Sequence, residues 1–161
     1  MHRHRRAQQR MPLPHWQRLG VYLIGAALLI SGIAWLYLDT FVRIESEFGL
    51  EHSPWQHRWL ILHGVLAMPM LWLVGVLWTA HIKCAWLNRQ NRISGGFVLA
   101  IVALLAISAA MLYYLADEPW RAAASLVHWL IGLTMVIALP VHISRGRKAA
   151  KALTKANPTL K

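Results

Sequence analysis

The chain has 161 residues, the length of one ordinary domain. It is 57% hydrophobic and only 14% charged, with nine Trp and a formal net charge of +11. A typical soluble chain has roughly 25% charged residues, so disorder, collagen and a coiled coil are excluded. A single cysteine, Cys84, excludes a disulfide scaffold, a Cys-rich metal site and the two-Cys motif that attaches a c-type haem.

The charge is concentrated at the ends. A basic head, residues 1–18, carries Arg3, Arg5, Arg6, Arg10 and Arg18. Four apolar runs follow, at about 19–38, 59–82, 97–115 and 122–143, and none has Lys, Arg, Asp or Glu in its interior. Each approaches the ~20 residues a helix needs to cross a bilayer core. Backbone polar groups in hydrocarbon must be satisfied within the segment, so these runs are helices. The fold class expected is all-α, an integral-membrane up-down four-helix bundle. The first span begins like a signal or transit peptide but ends in Trp35-Leu36-Tyr37-Leu38 with no small-x-small cleavage site, so it reads as retained.

Orientation follows from the cations. Of the 17 Lys and Arg, 14 lie in the head (5), the 83–96 loop (3) and a tail from residue 144 to 161 (6). The other three are Arg43, Arg58 and Arg121, on the side that holds all six acids: Asp39, Glu45, Glu47, Glu51, Asp117 and Glu118. Both termini are expected in the cytoplasm of a bacterium, with the spans in its inner membrane. An organellar membrane is the lesser option. On this reading the charge sets orientation, and no nucleic-acid partner is expected. The tail reads as a solvated, partly disordered end. Most Trp and Tyr, among them Trp16, Trp35, Trp55, Trp59, Trp86, Tyr113, Tyr114 and Trp120, fall where interfaces should lie; Trp72 and Trp78 are deeper.

Pro54-Trp55 precedes His63 by eight residues counted from the Trp, and Pro119-Trp120 precedes His128 by the same eight. This suggests a weakly repeated two-helix unit with His63 and His128 at one depth. Of nine histidines, His2, His4 and His15 belong to the head and His52 and His57 to the first outer loop or the start of span 2, in solvent or capping roles. His63, His81, His128 and His142 lie within spans, where an ionisable group marks function by default.

On straight helices His63 and His81, 18 apart, share a face, and so do His128 and His142, 14 apart, with a phase difference of about 40°. In an up-down bundle, spans 2 and 4 are parallel diagonal partners. The expected pairs are then His63 with His128 and His81 with His142. Zinc takes four donors around one ion. Haem takes two axial ligands, and imidazole suits iron. The second ring nitrogen is then expected to donate to the carbonyl four residues back.

His128-x13-His142, together with His63-Gly64, Arg92-x-Ser94-Gly95-Gly96, Trp120-Arg121 and His128-x3-Gly132, resembles the four-helix di-haem b-type membrane cytochromes. That cytochrome b superfamily includes the membrane subunits of bacterial formate dehydrogenases and nickel hydrogenases. The resemblance covers about residues 50–150. It implies electron transfer across the membrane through two bis-His haem b groups, between a quinone and a redox partner on one face. It implies an electron-transfer subunit that leaves substrate oxidation to a partner rather than a stand-alone catalyst. The family has similar spacing on both ligand helices. Here it is 18 against 14, an extra turn of about 6 Å, which Pro69 and Pro140 are placed to absorb by kinking their helices. A single haem at His63 and His128 is therefore the narrower expectation.

Arg58 and Arg121 outside, with Lys83 and Arg145 inside, are candidates for haem propionates, and lipid headgroups compete for them. Gly25 and Gly32 on span 1, Ala100, Ala103 and Ala110 on span 3, and Gly75 and Gly132 on the ligand helices are candidate room for a porphyrin, or ordinary helix-packing residues. The loop from Thr40 to Gln56, with three glutamates, is the expected docking face for a redox protein on the periplasmic side. The competing readings are a haem-free structural membrane subunit, a small transporter, and a copper protein using Met68, Met70 or Met111. Met68 and Met70 are two apart and cannot share a helix face. The spans hold no carboxylate for an ion relay, and the loops hold no nucleophile-base-orienter set.

Overall fold

A computed structural model describes residues 13–47 and 49–156. The first twelve residues, including His2 and His4, and the last five lie outside it. Of the described residues, 86% are helical. Its elements are α1 (His15–Phe41), β1 (Arg43–Ser46), β2 (Gly49–His52), α2 (Pro54–Leu77), a π turn (Trp78–Ile82), α3 (Lys83–Leu87), α4 (Arg92–Tyr114) and α5 (Glu118–Ala156). Among the described residues four helical segments are long and apolar enough to cross a membrane: His15–Phe41, Pro54–Leu87, Arg92–Tyr114 and Glu118–Ala152.

The chain divides between Cys84 and Ala85 into two compact units. The first is the hairpin of α1 and α2; the second is the hairpin of α4 and α5. The Pro-Trp pairs explain where the second helix of each begins. Ser53 caps α2 by accepting from the Trp55 N–H at 3.4 Å, with Pro54 at the first helical position, where its missing N–H costs nothing. Asp117 Oδ1 accepts from the Trp120 N–H at 3.2 Å at the start of α5. The repeated Pro-Trp is thus a repeated helix start.

The connections differ. Between α1 and α2 stands a two-stranded antiparallel hairpin, Arg43 opposite His52 and Ser46 opposite Gly49. The all-α expectation missed it, although the alternation Arg-Ile-Glu-Ser is short-strand chemistry. Gly49 has φ +111° and closes the turn, a conformation that side chains with a Cβ avoid. Between α4 and α5 only Leu115, Ala116 and Asp117 intervene. Between α3 and α4, Arg89 and Asn91 adopt φ of 54° and 47°, which turns the chain into α4.

Two further features depart from expectation. α5 runs on through the expected tail to Ala156, because Arg147-Lys148-Ala149-Ala150-Lys151-Ala152 is strongly helix-forming once a long helix already exists. The second span carries a π turn holding His81, so 3.6-residue phase counting from His63 does not hold through it.

The interior is polar. Among the described residues the buried apolar ones are Leu73, Ile101 and Ala124, whereas Gln17, Ser31, Ser53, Ser94 and Ser108 are buried polar residues. Large apolar side chains such as Leu23, Ile30, Val65, Met68, Ile107 and Ile137 are exposed along the helices. A water-soluble hairpin would reverse this. In lipid there is no hydrophobic gain from burial, and small or polar residues pack between helices instead.

A candidate histidine site built on serines

Within each hairpin, serines on the first helix meet histidines on the second. Ser31 Oγ is 3.0 Å from His63 Nδ1. Ser108 Oγ is 2.8 Å from His128 Nδ1, and Ser94 Oγ is 3.1 Å from His142 Nδ1. Serine is short, so these contacts require close helix backbones.

Glycines make that approach feasible. A Cβ on Gly32, next to Ser31, would lie 3.3 Å from His63 Cε1. A Cβ on Gly95, next to Ser94, would lie 3.4 Å from His142 Cε1. A Ser-Gly dipeptide thus cradles an imidazole in each unit. Gly32, expected to make room for a porphyrin, makes room for the ring of His63. A Cβ on Gly25 would lie 3.7 Å from Met70 Cε and one on Gly132 3.9 Å from Leu105 Cδ2, which is ordinary packing. Gly64 and Gly75 have open space beside them.

The hydrogen-bond partners assign the tautomer. Ser108 donates its only hydroxyl proton to Leu104 O at 2.8 Å, with Leu105 O at 3.2 Å. Its oxygen then accepts, and His128 Nδ1 donates. His63 Nδ1 also lies 3.1 Å from Leu28 O, which can only accept, while Ser31 donates to the same carbonyl at 3.0 Å. His63 Nδ1 therefore carries the proton. Ser94 Oγ lies 3.4 Å from Asn91 O and 3.1 Å from His142 Nδ1. In a neutral imidazole so fixed, the lone pair is on Nε2.

Nδ1 of each of these histidines meets a serine on the neighbouring helix, a partner the sequence reading did not name. A helix carbonyl already serves its own N–H ladder and points along the axis, whereas each serine approaches from the neighbouring helix. The signal was in the sequence: Ser94 and Ser108 are fourteen apart, as are His128 and His142.

The other expected site residues separate from this set. His81 lies half-buried in the π turn. Arg58 stacks over the Trp55 ring at 4.7 Å. Arg121 is 3.7 Å from Glu118 on an exposed turn. Arg145 is exposed and lines an apolar groove with Phe97, Thr134, Ile137 and Val141. Trp72 packs against Trp16 with centroids 6.4 Å apart, which accounts for one deep tryptophan. In the first connection, Glu45, Glu47 and Glu51 are exposed, and Asp39 is tied to Gln56 at 2.7 Å.

Among the described residues no three His, Cys, Asp or Glu side chains converge. The donors are single imidazoles, each held by its own hairpin. Comparison with protein-family models, curated proteins and solved structures gives no match to this chain.

Proposed function

We propose that this protein is a b-type cytochrome of an energy-transducing membrane, carrying electrons through two bis-His haem b groups. The observation that supports this best is the serine set against Nδ1 of each of His63, His128 and His142. Metal-bound histidines almost always donate their second N–H to a neighbouring group, which sets ring orientation and basicity. A histidine kept merely for packing does not need a buried serine and an adjoining glycine.

In this reading His63 and His128, which share the offset from Pro-Trp, hold one iron. His81 and His142 hold the other. Haem supplies reversible one-electron storage. The chain's own residues do the rest: Ser31, Ser108 and Ser94 hold the imidazoles, and Gly32 and Gly95 admit them. Arg58, Arg121 and Arg145 provide cations for propionates near the span ends. The four spans form an up-down bundle in a bacterial inner membrane, with both termini in the cytoplasm, an orientation supported by the 14-to-3 division of cations. Electrons pass between a quinone and a protein on the periplasmic side, and the lipid bilayer covers the exposed apolar helix faces.

An absorbance spectrum of the purified protein, oxidised and reduced, tests this. Sharp reduced bands of low-spin b haem are expected, with all haem extractable by acid acetone because Cys84 has no second cysteine for a thioether pair. A colourless preparation made with ample haem supply would leave a haem-free structural subunit or transporter. A reporter fused after Lys161 should be active only in the cytoplasm; periplasmic activity would overturn the orientation.

A further inference from the structure

The two serine–histidine pairs of the α4–α5 unit are fourteen residues apart on both helices: Ser108 with His128, and Ser94 with His142. The same count from Ser31 and His63 leads to Gln17 on α1 and Leu77 on α2. Packing keeps this register. A Cβ on Gly20 would lie 3.2 Å from Leu73 Cδ2, and Trp16 meets Trp72 nearby. Gln17 therefore stands where the other unit has Ser94.

Gln17 is only 5% exposed, and its Oε1 has no hydrogen-bond partner among the described residues. A buried carbonyl oxygen without a donor calls for an explanation, since leucine would pack there without the desolvation cost. The histidine of this helix is not at Leu77. It is His81, four residues on, inside the π turn. Two features reduce that offset. Glutamine places its oxygen two bonds beyond the reach of serine, roughly 2.5 Å. A π turn packs more residues into each turn, so it carries His81 less far along the axis than an α-helix does.

We propose that Gln17 is the positioning residue of His81, its Oε1 accepting the His81 Nδ1–H in the haem-loaded protein as the Ser94 hydroxyl accepts that of His142. The inference rests on the reading of His81 as a haem ligand. It accounts for three departures together: the 18-residue spacing, the π turn and the orphaned amide oxygen. Glutamine replaces serine where the histidine lies one turn further on.

The test uses the full chain in detergent, prepared with ample haem, as Gln17→Leu and Gln17→Glu. Haem content, the midpoint potentials of both haems and their low-spin paramagnetic resonance signals are measured. Removing the acceptor lowers the basicity of the ligand, so Gln17→Leu should raise the potential of one haem and weaken its binding about tenfold. A carboxylate accepts more strongly, so Gln17→Glu should lower the potential of that same haem. Ser94→Ala should move this haem too; Ser31→Ala and Ser108→Ala should move the other. If leucine prevents purification, Gln17→Met, of similar length and without the amide, is read in its place. A parent with two haems whose potentials and signals ignore every Gln17 substitution overturns this proposal alone. A shift of both haems equally also overturns it, because a general loosening of the fold would do that. A parent that binds no haem overturns the underlying reading with it.

Discussion

The two hairpins solve one problem in two ways. In the α4–α5 unit, both histidines of the second helix meet serines of the first, in one register and with one side-chain length. In the α1–α2 unit the pair near the connection is the same, Ser31 with His63. At the open end the pattern changes to a buried glutamine and a histidine in a π turn. The connections differ as well, a β-hairpin in one and three residues in the other. A regular helix pair repeats a contact only at the spacing its register permits. When a histidine is displaced by a turn, either the partner side chain lengthens or the backbone yields. Here both are seen.

The largest expected effects come from removing the rings themselves. His128→Ala or His63→Ala should reduce haem from two per chain to one, and His142→Ala or His81→Ala should do the same at the other site. Haem-to-protein ratios read this directly. If His81→Ala and His142→Ala both keep the full parental content, these are interfacial histidines and the comparison reduces to Ser31–His63 and Ser108–His128.

Next come the serines. Ser31→Ala and Ser108→Ala should each weaken haem by about 10–100-fold, the range for loss of a partner to a metal ligand. Haem transfer to an excess of apo-acceptor protein measures it. Equal retention in both variants would make the serines packing residues only.

Glycine substitutions should be milder and unequal. Gly32→Ala forces its Cβ to 3.3 Å from the His63 ring, and Gly95→Ala leaves 3.4 Å to that of His142. The first should shift the spectrum and potential of the nearer haem more than the second. Gly64→Ala, with open space around it, should change neither. A large effect at Gly64 alone would show that crowding of the imidazole is not what these positions control.

The smallest effect concerns the β-hairpin, which has no counterpart in the other unit. Reversing Glu45, Glu47 and Glu51 to lysine should slow electron exchange with a basic redox partner at low salt and have little effect at high salt. Stopped-flow traces at two ionic strengths check it, and salt-independent rates would remove the hairpin from partner docking.

Much of the fold was legible because its causes are local or compositional. Span length, freedom from charge and the cation asymmetry follow from what a bilayer demands of each segment alone. The apolar runs put the starts of spans 2 and 4 at about 59 and 122, whereas α2 and α5 begin at Pro54 and Glu118, because capping extends each helix beyond its apolar run. The β-hairpin was harder to see, since Arg43–His52 is too short for periodicity to separate strand from loop. The helical run of α5 to Ala156 was obscured because its charged residues resemble a solvated tail as much as a helix extension.

The sequence by itself determined that four apolar helices carry four histidines at chosen depths, because depth along a helix is a count of residues. Only the tertiary structure decided what those histidines are attached to. The pairing of Ser31 with His63, of Ser108 with His128 and of Ser94 with His142 depends on antiparallel register and close approach across a hairpin, which no single helix encodes. The π turn at His81 and the buried oxygen of Gln17 depend on the same register. They appear where one helix has to meet another at a spacing that its own 3.6-residue repeat does not supply.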